Sequence, residues 1–294
     1  MHDYLRAIGF SQIKQNKEVR ELLKAIMMNP TAEFVASDRD SVFGEKVKEF
    51  AQRIGIAVRG EYDENGEFHS GYYFPYFKGR QVSLRDEVSI EKHPDKDNFS
   101  GVCDQLQLGV SLIFGLLNIT DYMDYMQFHK NSVFANVPIC LSALSTSGKV
   151  ILPLMRTPAD VRKRKDANYK RERMIAAARE GDQDAIESLT MEDMDTYAEI
   201  SRRIKKEDVL TIVESYFIPC GISCDQYSVM GDILSVEKVQ NTLTNENVFM
   251  LTIECNGLVF DVCMNEKDLM GEPLPGRRFR GNIWMQGMVD FMSL

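Results

Sequence analysis

From Pro158 to Phe217 the chain carries helical signals almost without interruption, while the residues on either side alternate and break at turn sequences as β-hairpins do. A chain that changes its period twice cannot be all-α or all-β. Segregated runs of strands and helices imply an α+β protein with antiparallel pairing. Within the helical stretch, Gly181 ends a first helix and Asp182 caps a short second one. Thr190-Met191-Glu192-Asp193 reads as a capping box before Met194, Tyr197, Ala198 and Ile204. Val209, Ile212, Val213, Tyr216 and Phe217 continue at helical spacing until Pro219 and Gly221.

The N-terminal part opens with two expected helices. Asn16 to Met28 places Val19, Leu22, Leu23 and Ile26 on one face, with Asn16 as cap and Pro30 just beyond the end. Asp40 to Ile54 places Val47, Phe50, Ala51 and Ile54 in a second stripe, with Gly55 at the C-terminal cap position. Strands follow. Ile56 to Tyr62 and Phe68 to Phe77 flank Asp63-Glu64-Asn65-Gly66, a strong hairpin signal. Further strand-like runs cover Glu87–Lys92, Val102–Leu117 and Val137–Leu144, and a turn at Ser145–Lys149 leads into Val150–Leu154.

After Val229 the strand pattern returns. Asn245-Glu246-Asn247 and Asn256-Gly257 mark turns, a short helix is expected over Glu266–Met270, and Phe279 to Gln286 is a last strand. That order is close to a small five-stranded barrel of the oligonucleotide/oligosaccharide-binding (OB-like) type. The expected organisation is an antiparallel α+β domain with N-terminal helices over 1–157, a helical middle segment over 158–228, and an OB-like β-barrel over 229–294.

Bulk properties narrow the function. With 44% hydrophobic and 27% charged residues the chain can bury a core. Its formal charge of -9 repels phosphate backbones and anionic lipid at long range. The start of the chain lacks a signal-peptide pattern, and the apolar run Leu106–Leu117 is shorter than the roughly 20 residues a bilayer span needs. A cytoplasmic protein without a membrane partner is expected. The six cysteines are dispersed in apolar contexts, as free buried thiols are.

No local constellation announces chemistry. Ser147-Gly148-Lys149 lacks the earlier glycine and the following Ser or Thr of a phosphate loop. Cys220 and Cys224 have ligand-like spacing but no second pair to close a zinc site, so no metal and no cofactor is assigned. His93, Cys103 and Asp104 are the one grouping near enough in sequence to suggest a nucleophile and base. The run Tyr72-Tyr73-Phe74-Pro75-Tyr76-Phe77 has the alternation of a stacking ladder, and equally that of core packing. Two basic clusters remain. Arg162-Lys163-Arg164-Lys165 with Lys170, Arg171 and Arg173 reads as a solvated helix face, because Asp160, Asp166 and Glu172 interleave it. Arg277, Arg278 and Arg280, with Trp284, are the candidate nucleic-acid contacts of the terminal barrel. From Gly231 onward nine acidic residues outnumber five basic ones, which disfavours that role.

Several stretches resemble one family. They are Met1-His2-Asp3-Tyr4-Leu5-Arg6-Ala7-Ile8-Gly9-Phe10, Ala178-Arg179-Glu180-Gly181-Asp182 through Asp193-Met194-Asp195-Thr196-Tyr197, Cys224-Asp225-Gln226-Tyr227-Ser228, and Arg277-Arg278-Phe279-Arg280-Gly281-Asn282-Ile283-Trp284. Together they resemble a bacterial family catalogued as a domain of unknown function, DUF3881, over nearly the whole chain. The resemblance implies no catalytic or binding residue. Ala176 to Leu189 also resembles one tetratricopeptide-like junction, but a single copy does not make a stacked solenoid.

The function is left open by these residues. The expected class is a non-enzymatic interaction or regulatory protein whose partner is another protein. The alternatives are a nucleic-acid-binding protein using the C-terminal barrel and an enzyme with no local motif. A dimer is left open, but neither a heptad repeat nor an exposed apolar stripe argues for one.

Overall fold

A computed structural model describes residues 3–37, 42–92, 98–105, 108, 110–129, 132–154, 158–203, 209–221 and 224–293. A 3-10 turn at Asp3–Ile8 leads into α1 (Asn16–Met28). The first strands are β1 (Ala32–Ser37), β2 (Val42–Ala51), β3 (Ile54–Tyr62) and β4 (Phe68–Phe77). Next come β5 (Leu84–Lys92), β6 (Phe99–Gln105), β7 (Val110–Leu116), α2 (Ile119–Phe128) and β8 (Val133–Ile151). The helical segment holds α3 (Pro158–Arg179), α4 (Gln183–Arg203) and the short α5 (Val209–Ile212). The chain ends with β9 (Tyr216–Pro219), β10 (Gln226–Gln240), β11 (Asn247–Cys255), β12 (Leu258–Asn265), β13 (Leu269–Met270) and β14 (Arg278–Val289).

Strands β1 to β4 form a four-stranded antiparallel meander. The other ten strands form one mixed sheet, in which β12 and β13 run parallel to β8, and β7 runs parallel to β14. Two of its strands, β8 and β14, pair along twelve positions and serve as a common wall. On one side β14, β10, β11, β12 and β8 close a hydrogen-bonded circuit. On the other, β8, β5, β6, β7 and β14 close a second. The circuit of the C-terminal strands therefore includes β8, which lies outside 229–294.

One core fills these circuits and draws on both β-rich parts of the chain, from Val88, Phe114 and Ile139 to Val229, Leu251 and Phe279. A second core lies between the meander and the mixed sheet. Leu5, Ile8 and Phe10 of the N-terminal turn and Val19 and Ile26 of α1 meet Val47, Phe50 and Ile56 there, with Leu144, Val248 and Met250 opposite. Arg59 is fully buried in this region. It pairs with Glu45, donates to the carbonyls of Leu116 and Leu117 at 3.1 and 3.0 Å, and lies 4.5 Å from the Phe74 ring centre. A buried charge needs this many partners to offset its lost hydration.

Several expectations hold and several need correction. α1 has the expected limits, but Glu18, not Asn16, ties its start by accepting from the Lys14 and Gln15 amides at 3.0 Å. The β3–β4 hairpin turns at Asp63, whose carboxylate accepts from the Asn65 and Glu67 amides, with Gly66 at φ 78°. The helix expected over Asp40–Ile54 is instead β2 and the start of β3. A bulge between Glu49 and Ala51 breaks the alternation and brings Val47 and Phe50 into one core, which mimics a helical stripe, and the turn comes at Arg53 with φ 65°. The expected turn at Ser145–Lys149 lies inside the C-terminal half of the 19-residue β8. Gly148 stands there because a Cβ would fall 2.5 Å from the Phe279 ring. Val102–Leu117 is two strands, and α4 is one helix of 21 residues in which Thr190 bonds back to the Ile186 carbonyl. The helical run expected over Val209 to Phe217 is reduced to α5, followed by β9.

Candidate interaction surface

The four residues singled out for nucleic-acid contact separate by burial. Arg278 is 2% exposed and donates to the carbonyls of Leu152, Val213 and Leu210 at 3.2, 3.1 and 2.9 Å. It staples the chain on both sides of the α3–α4 excursion to β14. Trp284 is 6% exposed; its indole N–H donates to Asp225 at 2.6 Å and its ring lies 5.3 Å from that of Tyr4. Burial, with Asp225 nearby, pushes the Tyr4 hydroxyl up to about 12. Arg277 and Arg280 face outward: Arg277 donates to the Glu272 carbonyl at 2.7 Å, and Arg280 to the Tyr216 hydroxyl at 3.0 Å. Arg280 also lines an open groove of about 560 Å³ with Lys149, Lys267, Ser228 and Asn282.

The other candidates carry no evident chemistry. Cys103 is buried, and desolvation with Asp86 and Asp104 nearby pushes its thiol up to about 12, so it stays protonated at neutral pH. Asp104 accepts from the Ser111 hydroxyl at 2.6 Å. His93 lies outside the described residues. Tyr72 and Phe74 stack on one another at 5.7 Å, and Phe74, Tyr76 and Phe77 are buried, so the aromatic run is packing. Asp63, Glu67 and His69 bring ligand atoms together at the β3–β4 turn, fully on the surface. The turn's own hydrogen bonds account for that arrangement. A cavity of about 160 Å³ lies between the meander and α2, walled by Phe34, Val47, Ala57, Phe74, Tyr76 and Met288. Burial beside Glu49 and Glu45 raises the pKa of the Tyr76 hydroxyl.

The feature that sequence reasoning missed is the surface of the α3–α4 hairpin. It leaves the sheet after β8 and returns before β9. α3 and α4 pack on one another, and among the described residues no other element packs extensively against either. The connection is local: Gly181 turns at φ 89°, and Asp182 accepts from the Ala185 amide at 3.1 Å to start α4. Arg171 of α3 reaches Glu192 and Asp193 of α4 at 3.4 and 2.8 Å.

Among its described side chains α4 buries Ala185 alone. Met191, Met194 and Tyr197 are 68, 67 and 75% exposed, and Ile186 is 39% exposed. At 100° per residue these four side chains fall within a sector of roughly 140°. Tyr169 of α3 is also exposed. A helix gains most of its stability by packing an apolar face, and this one leaves such a face to solvent. The spacing of 186, 191, 194 and 197 was visible in the sequence, but nothing there showed that the stripe has no neighbour.

The architecture is that of a mixed α+β protein with a meander on a twice-closed sheet and a projecting helical hairpin. The chain belongs to the family described as "Domain of unknown function, E. rectale Gene description (DUF3881)", whose model matches residues 5–287. No curated protein and no solved structure matches it. Among the described residues no helix is long and apolar enough to cross a membrane.

Proposed function

We propose that the chain is a non-enzymatic interaction protein of the bacterial cytoplasm, in which the β body is a rigid base and the α3–α4 hairpin is the arm that docks a protein. The observation that carries this reading is the stripe Ile186, Met191, Met194 and Tyr197, exposed on a helix that, among the described residues, packs extensively only on its own hairpin partner. Arg278 supports it, because three backbone carbonyls around the root of the arm are held by one buried side chain. Tagged full-length protein and a Met194→Glu, Tyr197→Ser variant test the reading in parallel pull-downs at low and moderate salt. A stoichiometric protein partner that persists at both salts and is lost with the variant is the expected result. Equal capture by both proteins overturns it.

A second reading has one observation in its favour. Lys149, Lys267 and Arg280 line the open groove beside the C-terminal circuit. Arg277 and Arg280 would then track a phosphate backbone. Binding of single-stranded RNA or DNA that weakens with salt, and whose salt slope falls on Arg280→Ala, would favour it. No binding at low salt dismisses it.

A further inference from the structure

We infer that a second copy of this chain covers the hairpin, so that two α3–α4 arms pack into an antiparallel four-helix assembly. The inference rests on the docking-arm reading and names the occupant. The argument is the charge of the two arms. α3 carries eight basic residues against three acidic ones, and α4 carries six acidic against two basic. An arm this bipolar repels a uniformly charged partner along one of its helices whichever sign that partner has. Its own copy, rotated by a two-fold axis, sets α3 against the other chain's α4 on both sides of the contact. A two-fold interface is self-complementary in this way.

Each apolar stripe then lies inside the contact, against α3 of the other chain and its exposed Tyr169. That is the arrangement of stable interfaces, where aromatic and methionine side chains concentrate in the core. The internal pairing of Arg171 with Glu192 and Asp193 uses only part of this charge. Lys170, Arg173, Glu187 and Asp195 remain on exposed positions. The size is adequate as well. Two helices side by side, each roughly 10 Å across and about 32 Å long, present about 600 Å² per copy, which doubled reaches the lower limit of a specific interface.

The test is sedimentation of the full chain and of two charge variants. The wild-type chain of 33.6 kDa is expected to sediment at twice that mass, and less so as salt rises. Lys170→Glu with Arg173→Glu lowers α3 from a net charge of +5 to +1; Glu187→Lys with Asp195→Lys raises α4 from -4 to 0. Each variant alone is expected to self-associate at least about tenfold more weakly, because the attraction between α3 and the other chain's α4 is lost from both sides of the contact. Mixed, they are expected to form a dimer of one copy each, which a misfolded arm would not do. Circular dichroism of each variant checks that the helices persist. A wild-type chain that stays monomeric from micromolar to millimolar concentration overturns the inference. So does a dimer that Met194→Lys leaves intact, because its interface then lies elsewhere. A monomer that still captures a different protein through the stripe removes the second copy but leaves the docking arm standing.

Discussion

Glu246 shows how one side chain can tie the N-terminus to the rest of the molecule. Burial alone would raise its carboxyl. Lys267 at 2.7 Å, the Ser11 hydroxyl and amide at 2.5 and 3.1 Å, and Asn265 at 2.6 Å outweigh burial and hold it at about 2. The folded-state pKa lies below the unfolded value of about 4.3, so the stabilisation is present above the unfolded pKa. It is lost as the pH falls from there through the folded value. Unfolding free energy measured by urea titration is expected to fall between pH 5 and pH 2 by an amount of order 3 kcal/mol from this group. Glu246→Gln is expected to be less stable at neutral pH and to flatten that decline; an unchanged slope would mean that the carboxylate carries no such linkage. Arg53 is the other residue that only the fold explains. It sits at φ 65° in a non-glycine position, and its guanidinium reaches the buried Asp261 at 2.9 Å across the two sheets.

At the scale of elements, glycine marks where strands make room for rings. Phe114 on β7 lies between Gly101 on β6 and Gly287 on β14, where an added Cβ would come within 2.2 and 2.5 Å of its ring. These three residues seal the place where the second circuit closes through only two parallel pairs. Gly287→Ala is expected to cost about 1–3 kcal/mol by overpacking, read as a lower midpoint in urea. Coupling Gly287→Ala with Phe114→Leu is expected to recover part of that cost; no recovery would place the strain elsewhere. The same logic explains two sequence misreadings. Gly55 and Gly148 looked like a helix end and a turn. In the structure Gly55 pairs with Tyr76 and lies beneath its ring, and Gly148 lies beneath Phe279.

For the whole molecule, the decisive element is β8, since both circuits close through it and β14. A fragment ending at residue 228 loses β10 beyond its start and all of β11, β12 and β14. It is expected to give no cooperative unfolding transition, whereas replacing 158–203 by a short flexible linker should keep one; scanning calorimetry reads both outcomes. The sequence by itself determined what depends on neighbours along the chain: α1, the β3–β4 and β11–β12 hairpins, the helical nature of the segment after Pro158, and the dispersal of free cysteines. It also carried the family resemblance that the match over residues 5–287 establishes. Tertiary structure decided what depends on neighbours across space. β2 is a strand because it pairs with β1 and β3 along both edges, Arg278 and Trp284 are interior because β14 is a shared wall, and the α4 stripe is exposed because, among the described residues, no element but α3 packs extensively against that helix. Periodicity records which side of an element is apolar; only the packed chain shows whether anything lies against that side.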